Sequence, residues 1–175
     1  MSDPTEPSEP TSDPQNIEDE LDAALAALLE HVRLDMLQLH GRETPKGVIA
    51  VKRRYGLPVM KALSISTAAD LEKIEPYRGI ADGFLFDAKP PAGSQLPGGN
   101  GVSFDWTLLA GLSRDTDYLL SGGINAANVG AALRLAAPTG IDVSSGVESA
   151  PGIKDTSLIA GFFRAVRQAR SQSVA

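Results

Sequence analysis

The chain has 175 residues, 42% of them apolar or aromatic and 22% charged, which is enough for one buried core but below the ~200 residues or more of a usual (β/α) barrel. Its formal charge of −6, with no basic patch, argues against a nucleic-acid partner, and no apolar run approaches the ~18 residues of a membrane span. The absence of cysteine excludes disulfides, zinc–thiolate sites and cysteine catalysis.

Residues 1–16 carry four prolines and four acids with no basic residue or apolar run, so they read as a disordered tail and not as a signal peptide. Residues 17–31 form an amphipathic helix: Glu18, Asp19 and Glu20 suit its positive end, and Leu21, Leu25, Leu28 and Leu29 share one face. His31 at its far end suits the negative end and is taken as structural. Residues 36–40 alternate as a strand and stop at Gly41; a helix over 45–54 stops before Gly56. A strand over 58–63, a helix over 67–75 ahead of Pro76 and a strand over 83–87 follow. The Gly- and Pro-rich loop at 88–102 is long enough to suggest a functional segment. Beyond it come a short helix at 104–112, a strand at 118–120, a helix at 125–136 and a strand at 141–143. The last helix, 155–170, places Leu158, Ile159, Phe162, Phe163 and Val166 on its core side, and residues 171–175 form a disordered end. This alternation predicts one α/β domain over 17–170 with a parallel sheet and right-handed crossovers. It supplies about five strands where a closed barrel needs eight.

Two runs stand out, Ser121-Gly122-Gly123-Ile124-Asn125 and Ser144-Ser145-Gly146-Val147-Glu148, about twenty residues apart. Each follows a short apolar strand and precedes a helical pattern, so each offers main-chain N–H groups and a helix start to an anion. One such glycine is usually only a turn. The repeat points to adjacent β–α units holding one phosphate through Gly122, Gly123, Ser144, Ser145 and Gly146.

Polar residues at the C-terminal ends of parallel strands are the other candidates: Gln38, His40, Lys61, Asp87 and Asp142. Asp87 ends an apolar strand, where desolvation would raise its pKa toward use as a general acid; the alternative is a carboxylate that only caps the next loop. Gln38 and His40 read as substrate contacts or as plain strand-end polar residues. Lys61 is either a phosphate or carboxylate partner or half of a barrel-interior ion pair, and Asp142 either binds substrate or holds neighbouring loops.

Several strings together carry a family resemblance: Leu37-Gln38-Leu39-His40-Gly41, Leu57-Pro58-Val59-Met60-Lys61-Ala62, Phe86-Asp87-Ala88-Lys89, Gly98-Gly99-Asn100-Gly101, and Phe104-Asp105-Trp106. Ser121-Gly122-Gly123-Ile124 follows, then Asp142-Val143-Ser144-Ser145-Gly146-Val147-Glu148 with Pro151-Gly152 and Lys154-Asp155. In this order, over roughly residues 17–170, they resemble the phosphoribosylanthranilate isomerases of tryptophan biosynthesis. Asn100 replaces the threonine usual in the family's Gly-Gly-Thr-Gly loop, a change that keeps a hydrogen-bonding group.

The resemblance implies a TIM (β/α)8-barrel of the ribulose-phosphate-binding type. It also implies a cytoplasmic enzyme with a phosphosugar substrate and no metal or cofactor. The reaction is an Amadori rearrangement of N-(5-phosphoribosyl)anthranilate to the ribulose-phosphate ketoamine. Asp87 matches the family's general acid on the furanose ring oxygen. The base that then takes the C2 proton is, in the family, a cysteine ending the first strand in a Lys-Ile-Cys-Gly motif, and nothing here matches it. The family's arginine after the second strand is missing too, and residues 17–31 align with its third helix. The chain therefore reads as a member lacking three N-terminal strands, impaired in turnover and prone to self-association through open sheet edges. The alternative is a non-catalytic phosphosugar-binding remnant. A ribulose-phosphate epimerase is disfavoured by the Phe104-Asp105-Trp106 and Ser144-Ser145-Gly146-Val147-Glu148 strings.

Overall fold

The computed structural model describes residues 23, 25–88, 103–112 and 115–172; the expected tail, the start of the 17–31 helix, most of the long loop with Lys89 and Asn100, and residues 173–175 lie outside them. Five strands form one parallel sheet in the order β1-β2-β3-β4-β5: β1 Leu37–Leu39, β2 Val59–Ile65, β3 Gly83–Ala88, β4 Tyr118–Leu120 and β5 Gly140–Ile141. The α-helices α1 Pro45–Tyr55, α2 Val129–Ala136 and α3 Thr156–Gln172 and three 3-10 segments, Ala68–Tyr77, Trp106–Gly111 and Ser145–Val147, fill the connections among the described residues. Each strand pairs with its neighbour in sequence, the order of an incomplete barrel; among the described residues β1 and β5 pair on one side only. No described helix is long and apolar enough to cross a membrane.

The two faces of the sheet have different chemistry because side chains alternate along a strand. On the helix side, Leu37, Leu39 and Val59 bury against Val48 and Val51 of α1. Phe84, Phe86, Tyr118 and Leu120 bury against Val129, Ala132 and Ala136 of α2 and Phe162 of α3. The Phe86 and Tyr118 rings lie 4.8 Å apart, and the Tyr118 hydroxyl donates to the carbonyl of Ala136, closing β4 onto the end of α2. Burial pushes that phenol up to about 12, so it stays a donor. The register sets Gln38 opposite Met60, Ala62 opposite Leu85 and Ser64 opposite Asp87 on the other face.

Local chemistry explains the element ends. Thr44 caps α1 by accepting from the Gly47 amide at 3.1 Å, Pro45 opens it, and Gly56 closes it in the left-handed region at φ +66°. Asp155 caps α3 through the amides of Ser157 and Leu158 at 2.7 and 3.1 Å.

Several expectations need correction. The 67–75 helix is a 3-10 segment running through Pro76, which lacks the amide an α-helical ladder would use. The 104–112 helix is likewise 3-10, and the last strand covers Gly140–Ile141, not 141–143. The 125–136 helix begins only at Val129, because Asn125 and Asn128 use their side chains on the preceding turn. An antiparallel hairpin, β6 Glu148–Ala150 with β7 Ile153–Lys154, stands where no element was expected. On α3, which continues past 170 to Gln172 and packs against α2 and the Ser145–Val147 turn, Phe162 is buried but Phe163 and Leu158 are 55% and 42% exposed.

Candidate functional site

A cavity of about 230 Å³ opens at the C-terminal ends of the strands, on the face away from the helix layer. Gln38 and His40 of β1 and its turn, Asp87 of β3, and Gly122, Gly123, Asp142, Ser144 and Ser145 of the later turns all line it. Ser121, Leu85, Ile124 and Val143 complete the wall; of these Ser121 is the polar residue that strand-end reading passed over. Its hydroxyl donates to Asp142 Oδ2 at 3.0 Å, which ties the end of β4 to the turn after β5. Its position two residues after Leu119, on the inward side of β4, was the available signal.

Asp87 sits at the centre, with 5% of its surface exposed. Oδ1 accepts the amide of Ala88 at 2.8 Å. Burial is the main influence on the carboxyl and raises its pKa above the usual carboxylate range; the nearby charge of Asp142 acts in the same direction, while the Ala88 bond and His40 oppose it. The result is a carboxyl biased toward its proton-carrying form in a partly dry pocket.

The first glycine turn needs its glycines. Gly122 and Gly123 have φ of +87° and +63°, and a Cβ on Gly122 would come within 2.5 Å of the Ala88 nitrogen and 3.0 Å of Asp87 Oδ1. Asn128 braces the turn, its Nδ2 donating to the Gly123 carbonyl at 2.9 Å while its Oδ1 accepts the Asn125 amide at 2.8 Å. The second turn is a 3-10 turn, Ser145–Val147, clamped by the hairpin: Lys154 Nζ donates to the Ser144 carbonyl and hydroxyl at 3.0 Å each and to Glu148 Oε1 at 2.6 Å. The main-chain amides expected to meet an anion therefore belong to turns, not to helix starts. Those of Gly122, Gly123, Ile124, Ser145 and Gly146 donate to no group among the described residues.

Two placements differ from the sequence reading. Gly146 is not in the lining; it lets the second turn lie against the first, since a Cβ there would be 1.9 Å from the Ile124 carbonyl oxygen. Lys61 is not in the pocket either. It is paired with Leu39 and Phe84 on the helix side of the sheet and bonded to Glu43 at 3.0 Å, so it is half of an ion pair on the face away from the pocket.

Residues 17–165 match the family described as N-(5'-phosphoribosyl)anthranilate (PRA) isomerase. The chain is 65% identical over 157 residues to the N-(5'-phosphoribosyl)anthranilate isomerase of Mesorhizobium japonicum, covering 90% of this chain and 72% of that protein. It superposes on the phosphoribosyl anthranilate isomerase of Thermotoga maritima with a TM-score of 0.67 and 33% identity, over 90% of this chain and 70% of that one. A further isomerase structure, holding reduced 1-(o-carboxyphenylamino)-1-deoxyribulose 5-phosphate, is 31% identical with a TM-score of 0.64, over 90% and 68% of the two chains.

Gly146→Ala is expected to lower the melting temperature by the equivalent of ~1–3 kcal/mol, because the methyl meets backbone that cannot move aside cheaply. It should also weaken inorganic-phosphate binding measured by calorimetry, and a variant as stable and as tight as the parent would remove this account of the turns. Asp87→Asn is expected to raise stability. A carboxyl whose folded pKa is raised opposes folding only once it ionises, so the gain is absent near the ordinary value of 3.8 and grows toward neutral pH. Melting curves showing the same gain at both ends of that range would contradict the burial argument.

Proposed function

The chain belongs to the N-(5'-phosphoribosyl)anthranilate isomerase family, and on that footing we propose that its pocket binds the phosphoribosyl–anthranilate substrate with the phosphate in the glycine turns and the sugar over Asp87. The single observation that carries the reading is the shared cavity: free turn amides from Gly122, Gly123 and Ser145 open into the same space as one buried, proton-biased carboxyl. Multiple N–H donors suit a dianionic phosphate, and the carboxyl suits an oxygen that must leave carbon with a proton.

In this reading Asp87 gives its proton to the furanose ring oxygen as the C1–O bond breaks and the anilino nitrogen lone pair forms the C1=N bond. Loss of the C2 proton then moves the electrons through C1 to nitrogen, and the resulting enol becomes the ketoamine. Gln38, His40 and Asp142 face the same space and hold the sugar and anthranilate polar groups. The resemblance gives the C2 proton to a cysteine, and these 175 residues contain none. A positioned base typically contributes ~10²–10⁴-fold, so binding by this chain is expected to outlast its turnover. The proposed compartment is the cytoplasm, by likeness to biosynthetic relatives.

Asp87→Asn keeps the shape and removes the proton, so residual turnover should fall by ~10²-fold with phosphosugar affinity largely kept. A fall of only a few-fold would take the acid role from Asp87. The 175-residue chain by itself is expected to turn over far below ~1 s⁻¹. A kcat at or above that value would mean another residue takes the C2 proton, His40 being the first to replace. The strand edges β1 and β5 motivate a last expectation, that the purified chain self-associates. Sedimentation showing only monomer at working concentrations would refute it.

A further inference from the structure

Lys61 is among the largest fully buried side chains, 1% exposed, and it lies on the face of the sheet opposite the pocket. Its Nζ is 3.3 Å from the Leu39 carbonyl oxygen, 3.1 Å from that of Gly41, 3.0 Å from that of Ala62 and 3.0 Å from Glu43 Oε2. Three ammonium protons are thus shared among four acceptors. The Glu43 carboxylate in turn accepts the Gly41 amide through both oxygens at 3.0 Å. A Cβ on Gly41 would be 2.6 Å from Glu43 Oε1, so a larger residue there would push the Glu43 carboxylate aside. Tyr77 closes the cluster: its hydroxyl donates to the Glu43 carbonyl at 2.8 Å and its ring centre is 5.9 Å from Nζ.

A buried ammonium is costly, and a methionine of similar length would fill the same space without desolvating a charge. What the charge supplies is geometric. The two carbonyls it grips, those of Leu39 and Gly41, flank His40, whose side chain lines the pocket. The carboxylate that neutralises it grips the amide of Gly41. The peptide groups on both sides of His40 are therefore held from behind the sheet. The charged groups facing His40 across the pocket are Asp87 from β3 and Asp142 from the turn after β5; Arg42 and Glu43 lie in its own turn.

We propose that Lys61 and Glu43 are positioning residues, a buried ion pair that fixes the turn between β1 and α1 and thereby sets His40 over the sugar side of the pocket. The phosphate side is built from the turns after β4 and β5 and does not depend on them. The proposal rests on the pocket being the phosphosugar site, but its structural half can be tested without any ligand.

The chain has two histidines, His31 and His40, so the ring nitrogen spectrum is sparse and carries its own control. Lys61→Met, Glu43→Gln and the double variant are compared with the parent by histidine ring NMR and by calorimetry. The ligands are inorganic phosphate and reduced 1-(o-carboxyphenylamino)-1-deoxyribulose 5-phosphate. In Lys61→Met the His40 signals should move while those of His31 stay. Affinity for the sugar ligand should fall by ~10-fold or more, within the ~100-fold cost of a misplaced group, with inorganic phosphate affinity unchanged. The double variant, which leaves no unpaired buried carboxylate, should regain most of the melting temperature without regaining the His40 signals or the sugar affinity. Unmoved His40 signals in any folded charge-removing variant overturn the proposal. So does a parallel loss of both ligands that tracks the melting temperature, or a double variant that recovers binding together with stability. Failure of the parent to bind either ligand would instead sink the phosphosugar reading, and the His40 signals would still decide the positioning role.

Discussion

Three consecutive strand ends touch through main chain, and the site depends on that contact. The turn after β4 presses on the end of β3, where the Gly122 α-carbon faces the Ala88 nitrogen and the Asp87 carboxylate with no space for a methyl. The turn after β5 presses on the turn after β4 in the same way, Gly146 against the Ile124 carbonyl. Side chains at either point would separate the turns by the width of a methyl or more. The pocket would then lose its walls in sequence, because the same displacement moves the amides of one turn away from the other and both away from Asp87. The glycines matter here less for flexibility than for letting backbones approach.

Around that contact the sheet sorts charges by face. The inward side carries Asp87 and Asp142, two carboxylates that share a cavity and raise the cost of ionising Asp87. The outward side carries the Lys61–Glu43 pair at 3.0 Å, sealed under Tyr77. A positive side chain reaching the inward face would lower the Asp87 pKa and work against the burial that raises it. Parity in β2 prevents this: Lys61 shares a row with Leu39 and Phe84, while the neighbours that reach the pocket side, Ala62 and Ser64, are uncharged. The ammonium is near the site in sequence and excluded from it by one residue of register.

Legibility followed the same physics. Short apolar runs, alternating at 36–40, located the five strands of the parallel sheet, and the rule that such sheets bind ligands at C-terminal strand ends placed Gln38, His40, Asp87 and Asp142 beside the glycine turns. Lys61 was misjudged because β2 extends to Ile65, so the lysine is mid-strand and on the other face. The 3-10 winding of Ala68–Tyr77 and the hairpin 148–154 were not legible. Both are fixed by side-chain bonds at close range, Asp70 to Ser66 and Thr67 in one and Lys154 to Glu148 in the other, and neither leaves a periodic pattern. The face of α3 was misread because an apolar stripe reports what a helix can bury, and Phe163 remains exposed.

The arrangement separates holding from reacting. Phosphate contacts are made equally to substrate and product, so they contribute uniform binding and accelerate nothing unless they fix the sugar against a group that acts only in the transition state. In the proposed reaction Asp87 is such a group, since its proton would be transferred only as the ring opens. Burial and the neighbouring Asp142 both raise its pKa, which favours the proton-carrying form before transfer and reprotonation after it. On that proposal the glycine turns and Asp87 have complementary parts: an anchor that cannot react and an acid that cannot anchor. Removing a base from such a system would take away rate and leave the anchor intact, so on the proposed reading affinity and turnover in this chain answer to different residues.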